Sequence, residues 1–120
     1  MYKIINKTIY LNRGDACVFT IASKSVNFSA GDIIRFYIIE KGNYENVIFT
    51  KSVTIAQDTN TVDLPLTSEE TKIGEPLKDG KREYYYEIEL NGSYTLVGHD
   101  NNGPKLLVLY PEAIAEGGSI

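Results

Sequence analysis

Arg82-Glu83-Tyr84-Tyr85-Tyr86-Glu87-Ile88-Glu89-Leu90, followed by Asn91-Gly92 and then Ser93-Tyr94-Thr95-Leu96-Val97, decides the fold of this chain. Tyr84, Tyr86, Ile88 and Leu90 alternate with Glu83, Tyr85, Glu87 and Glu89. A period of two with charges in one phase is the pattern of a strand with one dry face and one wet face. Asn91-Gly92 accepts positive φ at both positions, so a tight hairpin into residues 93–97 is expected.

Working outward, the same reading recurs. Cys17, Phe19 and Ile21 alternate with smaller or more polar neighbours, which makes residues 16–22 a strand and Cys17 a buried, inert thiol. Ile33-Ile34-Arg35-Phe36-Tyr37-Ile38-Ile39 is apolar in both phases, as a central strand requires, and turn residues flank it on both sides. In residues 46–56, Val47, Phe49, Val53 and Ile55 share a phase that only Lys51 interrupts. Thr61-Val62-Asp63-Leu64-Pro65 is a strand that ends at Pro65 or lies at an edge, because proline cannot donate to a ladder. Thr67-Ser68-Glu69-Glu70-Thr71 fits a capping box and predicts one helical turn near residues 68–72. Lys105 to Tyr110 closes the chain as an apolar strand. Seven to eight short strands describe an all-β sandwich occupying residues 1–112, with Phe19, Phe36 and Ile88 in its core and residues 113–120 as a flexible tail.

Composition narrows the function. The chain has 120 residues, enough for one domain with a single core. Twelve basic against sixteen acidic residues give a net charge of −4, which disfavours nucleic acid as a partner. No apolar run approaches a membrane span, and residues 1–15 do not read as a signal peptide. One cysteine and one histidine cannot form an internal disulfide or a zinc cage of the usual kind. No cofactor motif is present.

Chemistry is sparse. A nucleophile would need Cys17 or a serine beside His99, which sits among turn residues. Glu83, Glu87 and Glu89 share a strand face, which alternation alone explains. Asp58, Asn60 and Asp63, like Asp100, Asn101 and Asn102, lack the spacing of a calcium loop and read as turns. Arg13-Gly14-Asp15 spells an adhesion tripeptide but directly precedes a strand, where turn chemistry accounts for it. The nine tyrosines are the remaining candidates, with Tyr37, Tyr85 and Tyr94 expected to project outward, either as a stacking platform for sugar rings or as cross-strand packing.

The order of segments resembles a known family. Leu11-Asn12-Arg13-Gly14-Asp15 opening a strand, Leu64-Pro65-Leu66-Thr67-Ser68-Glu69-Glu70-Thr71, the tyrosine-rich strand and Lys105 to Tyr110 with Pro111-Glu112 are similar to the immunoglobulin-like domains of tail and baseplate proteins in phages and prophages of Gram-positive bacteria. Asp79-Gly80 followed by Tyr84 resembles the tyrosine corner of such sandwiches. The resemblance implies an immunoglobulin-like β-sandwich and a non-enzymatic virion protein. Such a protein is made in the host cytoplasm and placed in the tail, with other tail or baseplate subunits, or copies of itself, as partners. Tyr37, Tyr85 and Tyr94 are then candidate anchors. The rival reading is a carbohydrate-binding module for attachment to the host surface, and a small hydrolase using His99 is the third.

Overall fold

A computed structural model describes residues 2–23 and 27–112. Among them are nine strands: β1 (Tyr2–Ile5), β2 (Thr8–Asn12), β3 (Cys17–Ala22), β4 (Ile33–Glu40), β5 (Val47–Thr54), β6 (Thr61–Leu66), β7 (Arg82–Leu90), β8 (Tyr94–Val97) and β9 (Lys105–Tyr110). They form a seven-stranded sheet in the order β1-β2-β9-β7-β4-β5, with β8 also paired to β7, and a two-stranded sheet of β3 and β6. All pairings are antiparallel except that of β2 with β9.

The core lies between the sheets because the apolar phase of each strand points there. Ile34, Phe36 and Ile38 from β4, Tyr86 and Ile88 from β7, and Leu107 and Leu109 from β9 meet Phe19, Leu64 and Leu66 of the small sheet. Phe36 is fully buried and lies 5.2 Å from the Phe19 ring and 5.9 Å from that of Tyr86. Cys17 faces this core, where burial, and then the charge of Asp15, pushes its thiol up to about 11. Central placement of β4 and the hairpin at Asn91-Gly92, with φ of 54° and 70°, follow the sequence reading. Pro65 falls inside β6, which is an edge strand paired only with β3, so its missing N–H removes no ladder bond from a second neighbour.

No helix occurs among the described residues, and the segment around residues 68–72 closes as a hydrogen-bonded turn. Both capping-box bonds nonetheless form, Glu70 N–H to Thr67 Oγ1 at 3.1 Å and Thr67 N–H to Glu70 Oε1 at 2.9 Å. Gly74, at φ 67°, limits the turn: a side chain there would stand 2.6 Å from the Arg82 guanidinium and 2.8 Å from the Tyr84 hydroxyl. Lys51, which breaks the apolar phase of β5, sends its ammonium to both oxygens of Glu70 at 2.8 and 2.9 Å, so one carboxylate caps the turn and anchors the strand. One expectation changes, at the N-terminus, where β1 and β2 form a hairpin turned by Asn6 and Lys7. The strand count therefore exceeds the expected seven to eight. The expected tail at residues 113–120 lies outside the described residues.

Candidate interaction face

The alternate residues of β4, β7 and β9 point away from the core and build the outer face of the large sheet. Register places Tyr37 opposite Glu87, Arg35 opposite Glu89, and Ile39 opposite Tyr85. The β4–β5 connection bends back over this face: Asn43 N–H bonds to Glu40 O at 3.0 Å, Asn46 N–H to Asn43 O at 3.1 Å, and Glu40 N–H to Asn46 O at 3.0 Å. That bend sets the Tyr44 ring on Tyr85, with centroids 5.0 Å apart and 26° between planes. His99, from the connection between β8 and β9, lies with its ring centroid 5.8 Å from that of Tyr44, tilted by 39°. An aromatic row with carboxylates beside it results.

One carboxylate of this face differs from four others of the molecule. Those four, Glu83 of the same strand face among them, have partners that favour their charge. The Lys51 hydrogen bond holds Glu70 below its ordinary value, that of Lys41 does the same for Glu83, the Ser29 amide for Asp32 and Lys105 for Asp100. Glu87 moves the other way. Burial raises it, the neighbouring Glu89 adds to the rise, and His99 opposes both. Tyr37 is raised by burial and by its contact with Glu89, with Arg35 pulling against them. The Tyr44 hydroxyl is shielded from solvent and has no hydrogen-bond partner among the described residues. Gly98 lets the chain pass close by: a side chain there would meet the Thr95 methyl at 2.8 Å and the Glu87 carboxyl carbon at 3.2 Å.

Tyr37 and Tyr85 stand on this face as expected, both half-buried. Tyr94 does not join them. It pairs with Leu90, in the phase that faces the core, and lies 50% exposed at the end of the sandwich. The expected row of three is therefore a pair, and its real continuation is Tyr44, which sequence reasoning missed. The available signal was a bulky aromatic inside an otherwise polar turn, Lys41-Gly42-Asn43-Tyr44-Glu45-Asn46.

The other candidates are placed apart. Cys17 faces the core from the small sheet, whereas His99 packs on the outer side of the large one, so the two are not brought together. Arg13 of the tripeptide is buried, bonded to Glu112 at 2.5 Å, Gly74 O at 2.9 Å and Ile73 O at 3.4 Å, and cannot present itself to a receptor. Asp58 accepts the Ala30 amide, Asp63 the Thr20 hydroxyl and Asp100 the Asn102 amide, which is turn and cross-strand chemistry. Among the described residues no group of three His, Cys, Asp or Glu side chains is placed to hold a metal ion, and no helix is long and apolar enough to cross a membrane.

No protein-family model, no curated protein and no solved structure matches this chain.

Proposed function

We propose that this protein is a non-enzymatic structural module that docks onto other protein subunits through the outer face of its large sheet, as a tail or baseplate component of a phage or prophage virion. The observation that carries docking is the Tyr44–Tyr85 stack beside Glu87, half-buried rigid aromatic area next to a carboxylate whose charge burial and Glu89 disfavour and only His99 offsets. Tyrosine gives contact area at low entropic cost, and buried aromatic anchors dominate binding energy at protein interfaces. A partner lysine or arginine would meet both the ring faces and Glu87.

The strand order supports an immunoglobulin-like reading. β3 and β6 pair as one layer, β4, β7 and β9 form the centre of the other, and β2 runs parallel to β9 at the far side. The Tyr84 hydroxyl lies beside Gly74 in the β6–β7 connection and accepts at 3.1 Å from the Arg82 guanidinium, which also donates to Glu75 O at 3.1 Å. We read residues 68–72 as a single helical turn on the strength of the Thr71 N–H to Thr67 O bond of 3.2 Å. The carbohydrate reading is weaker, because Tyr44 occupies a face of the Tyr85 ring and Tyr94 lies in the opposite phase.

Tail particles purified from the strain that carries the gene test the proposal. The chain should be present in fixed ratio to the other tail subunits. A Tyr85→Ala, Glu87→Lys variant that still melts cooperatively should be incorporated roughly tenfold less or worse. Absence of the chain from the particles, or normal incorporation of that variant, overturns the proposal. Saturable binding to cell-wall polysaccharide in place of incorporation would establish the carbohydrate reading.

A further inference from the structure

Beside the tyrosine face, and joined to it by Leu106, the β9 partner of Tyr85, the β1–β2 turn and the β8–β9 connection enclose a cleft of about 390 Å³. Asn6, Lys7, Thr8, Asp100, Asn102 and Lys105 line it. Its walls are fixed. The Tyr86 hydroxyl donates to Lys7 O at 2.6 Å, and Asp100 and Gly103 exchange backbone bonds at 2.9 and 3.3 Å. Lys105, nearly buried, donates to Asp100 Oδ1 at 2.7 Å and Gly103 O at 3.0 Å. Asp100 Oδ1 also accepts the Asn102 amide at 2.8 Å, so this acceptor is already used.

The donors are in surplus. Lys105 has a third N–H with no partner among the described residues, and Lys7 forms no ion pair there. Two lysines line the cleft against one aspartate, whose carboxyl both of their charges hold low, which leaves a local excess of positive charge in a chain whose net charge is −4. The backbone gives a second, independent sign. Lys7 adopts φ 65° at the turn position where glycine is favoured. A long charged side chain at a strained backbone position is a mark of functional sites.

We infer that this cleft binds a small oxyanion, a carboxylate or a phosphate ester, with Lys7 meeting its charge and Asn6, Asn102 and Lys105 its remaining oxygens. The volume lies at the lower end of small-ligand sites, and one ammonium with a few neutral donors supports a Kd on the order of 1 mM. This site is independent of the docking reading, since it uses none of the face's aromatic groups.

Amide spectra of the full chain, titrated with inorganic phosphate, with acetate and with glucose as a neutral control, test the inference. The amides of Lys7, Thr8, Asn102 and Lys105 should shift saturably with at least one anion, and the affinity should fall severalfold as salt is raised. Lys7→Asn, which keeps a left-handed turn, should weaken binding tenfold or more with the melting temperature unchanged. A response to phosphate alone or to acetate alone identifies the source of the oxyanion. No saturable shift with either anion, equal shifts with glucose, or unchanged binding by Lys7→Asn overturns the site while leaving the docking proposal untouched.

Discussion

The large sheet presents two faces made from the same strands by alternate residues, and they obey different rules. Toward the small sheet, Ile34, Phe36 and Ile38 are wholly buried and make only apolar contacts. Toward solvent, Arg35, Tyr37, Tyr85, Glu87 and Glu89 are half-buried, and one carboxylate is held where its charge is disfavoured. Inner residues are selected by packing, whose contribution scales with area removed from water. A carboxylate whose charge is disfavoured by burial and by a neighbouring carboxylate contributes no stability at neutral pH. Packing therefore accounts for the inner face and leaves this group of the outer face unaccounted for.

Substitutions at adjacent positions give the sharpest break in this comparison. Phe36→Ala removes a ring packed between Phe19 and Tyr86 and should cost about 3–5 kcal/mol in urea unfolding. Tyr37→Ala, one residue on and facing outward, should cost no more than about 1 kcal/mol. Equal losses at the two positions would mean that the faces are not energetically distinct. Gly98→Ala comes next. Its new methyl must displace Thr95 and press on Glu87, so we expect a loss of about 1–3 kcal/mol in thermal or urea unfolding, together with shifted amide resonances at residues 87 and 95.

Acid titration separates the carboxylates by sign. Glu70, Glu83, Asp32 and Asp100 have folded-state values below their ordinary 4.5 and 3.8, so they stabilise the fold above that range. That contribution is lost as pH falls through the ordinary values toward the lowered ones. Glu87 is raised, so its contribution is greatest below 4.5 and is lost as pH rises through the higher folded value. Glu87→Gln should therefore melt slightly higher than the parent at pH 7, by about 0.5 kcal/mol or less given solvent screening. The difference should close as the pH drops below the carboxylate range. A variant that melts lower at pH 7 would show Glu87 to be a structural group. The smallest effect is expected for Tyr44→Phe, which removes an unpartnered hydroxyl and keeps the stack on Tyr85: neutral to a few tenths of a kcal/mol stabilising.

Much of the inner face was legible from residue order. The alternation of residues 82–90, the Asn91-Gly92 turn, the capping box and the apolar run of β9 are local patterns, and each appears where the spacing placed it. Half of the outer face was legible for the same reason, since the phase that buries Phe36 and Tyr86 turns Tyr37 and Tyr85 outward. Tyr94 stands exposed but apart from Tyr37 and Tyr85, because its side is set by pairing with Leu90 across the hairpin, where the register shifts between Ile88 and Glu89. Tyr44 was missed because a turn has no period. The buried Arg13 was also beyond sequence reading, because Glu112 and the Ile73 and Gly74 carbonyls that satisfy it lie far along the chain.

By itself the sequence determined that this protein is built of strands, which side of most of them is dry, and where the tight turns fall. Those properties depend on neighbours one to four residues apart, and the period of the backbone prints them directly onto residue order. Only the tertiary structure decided that β2 runs parallel to β9, that β1 folds back as an edge, that Tyr44 completes the aromatic row, and that Lys7 meets Lys105 across a cleft. Each of these joins segments remote in sequence, and such contacts are chosen by the packing of the whole domain, with no local pattern to announce them.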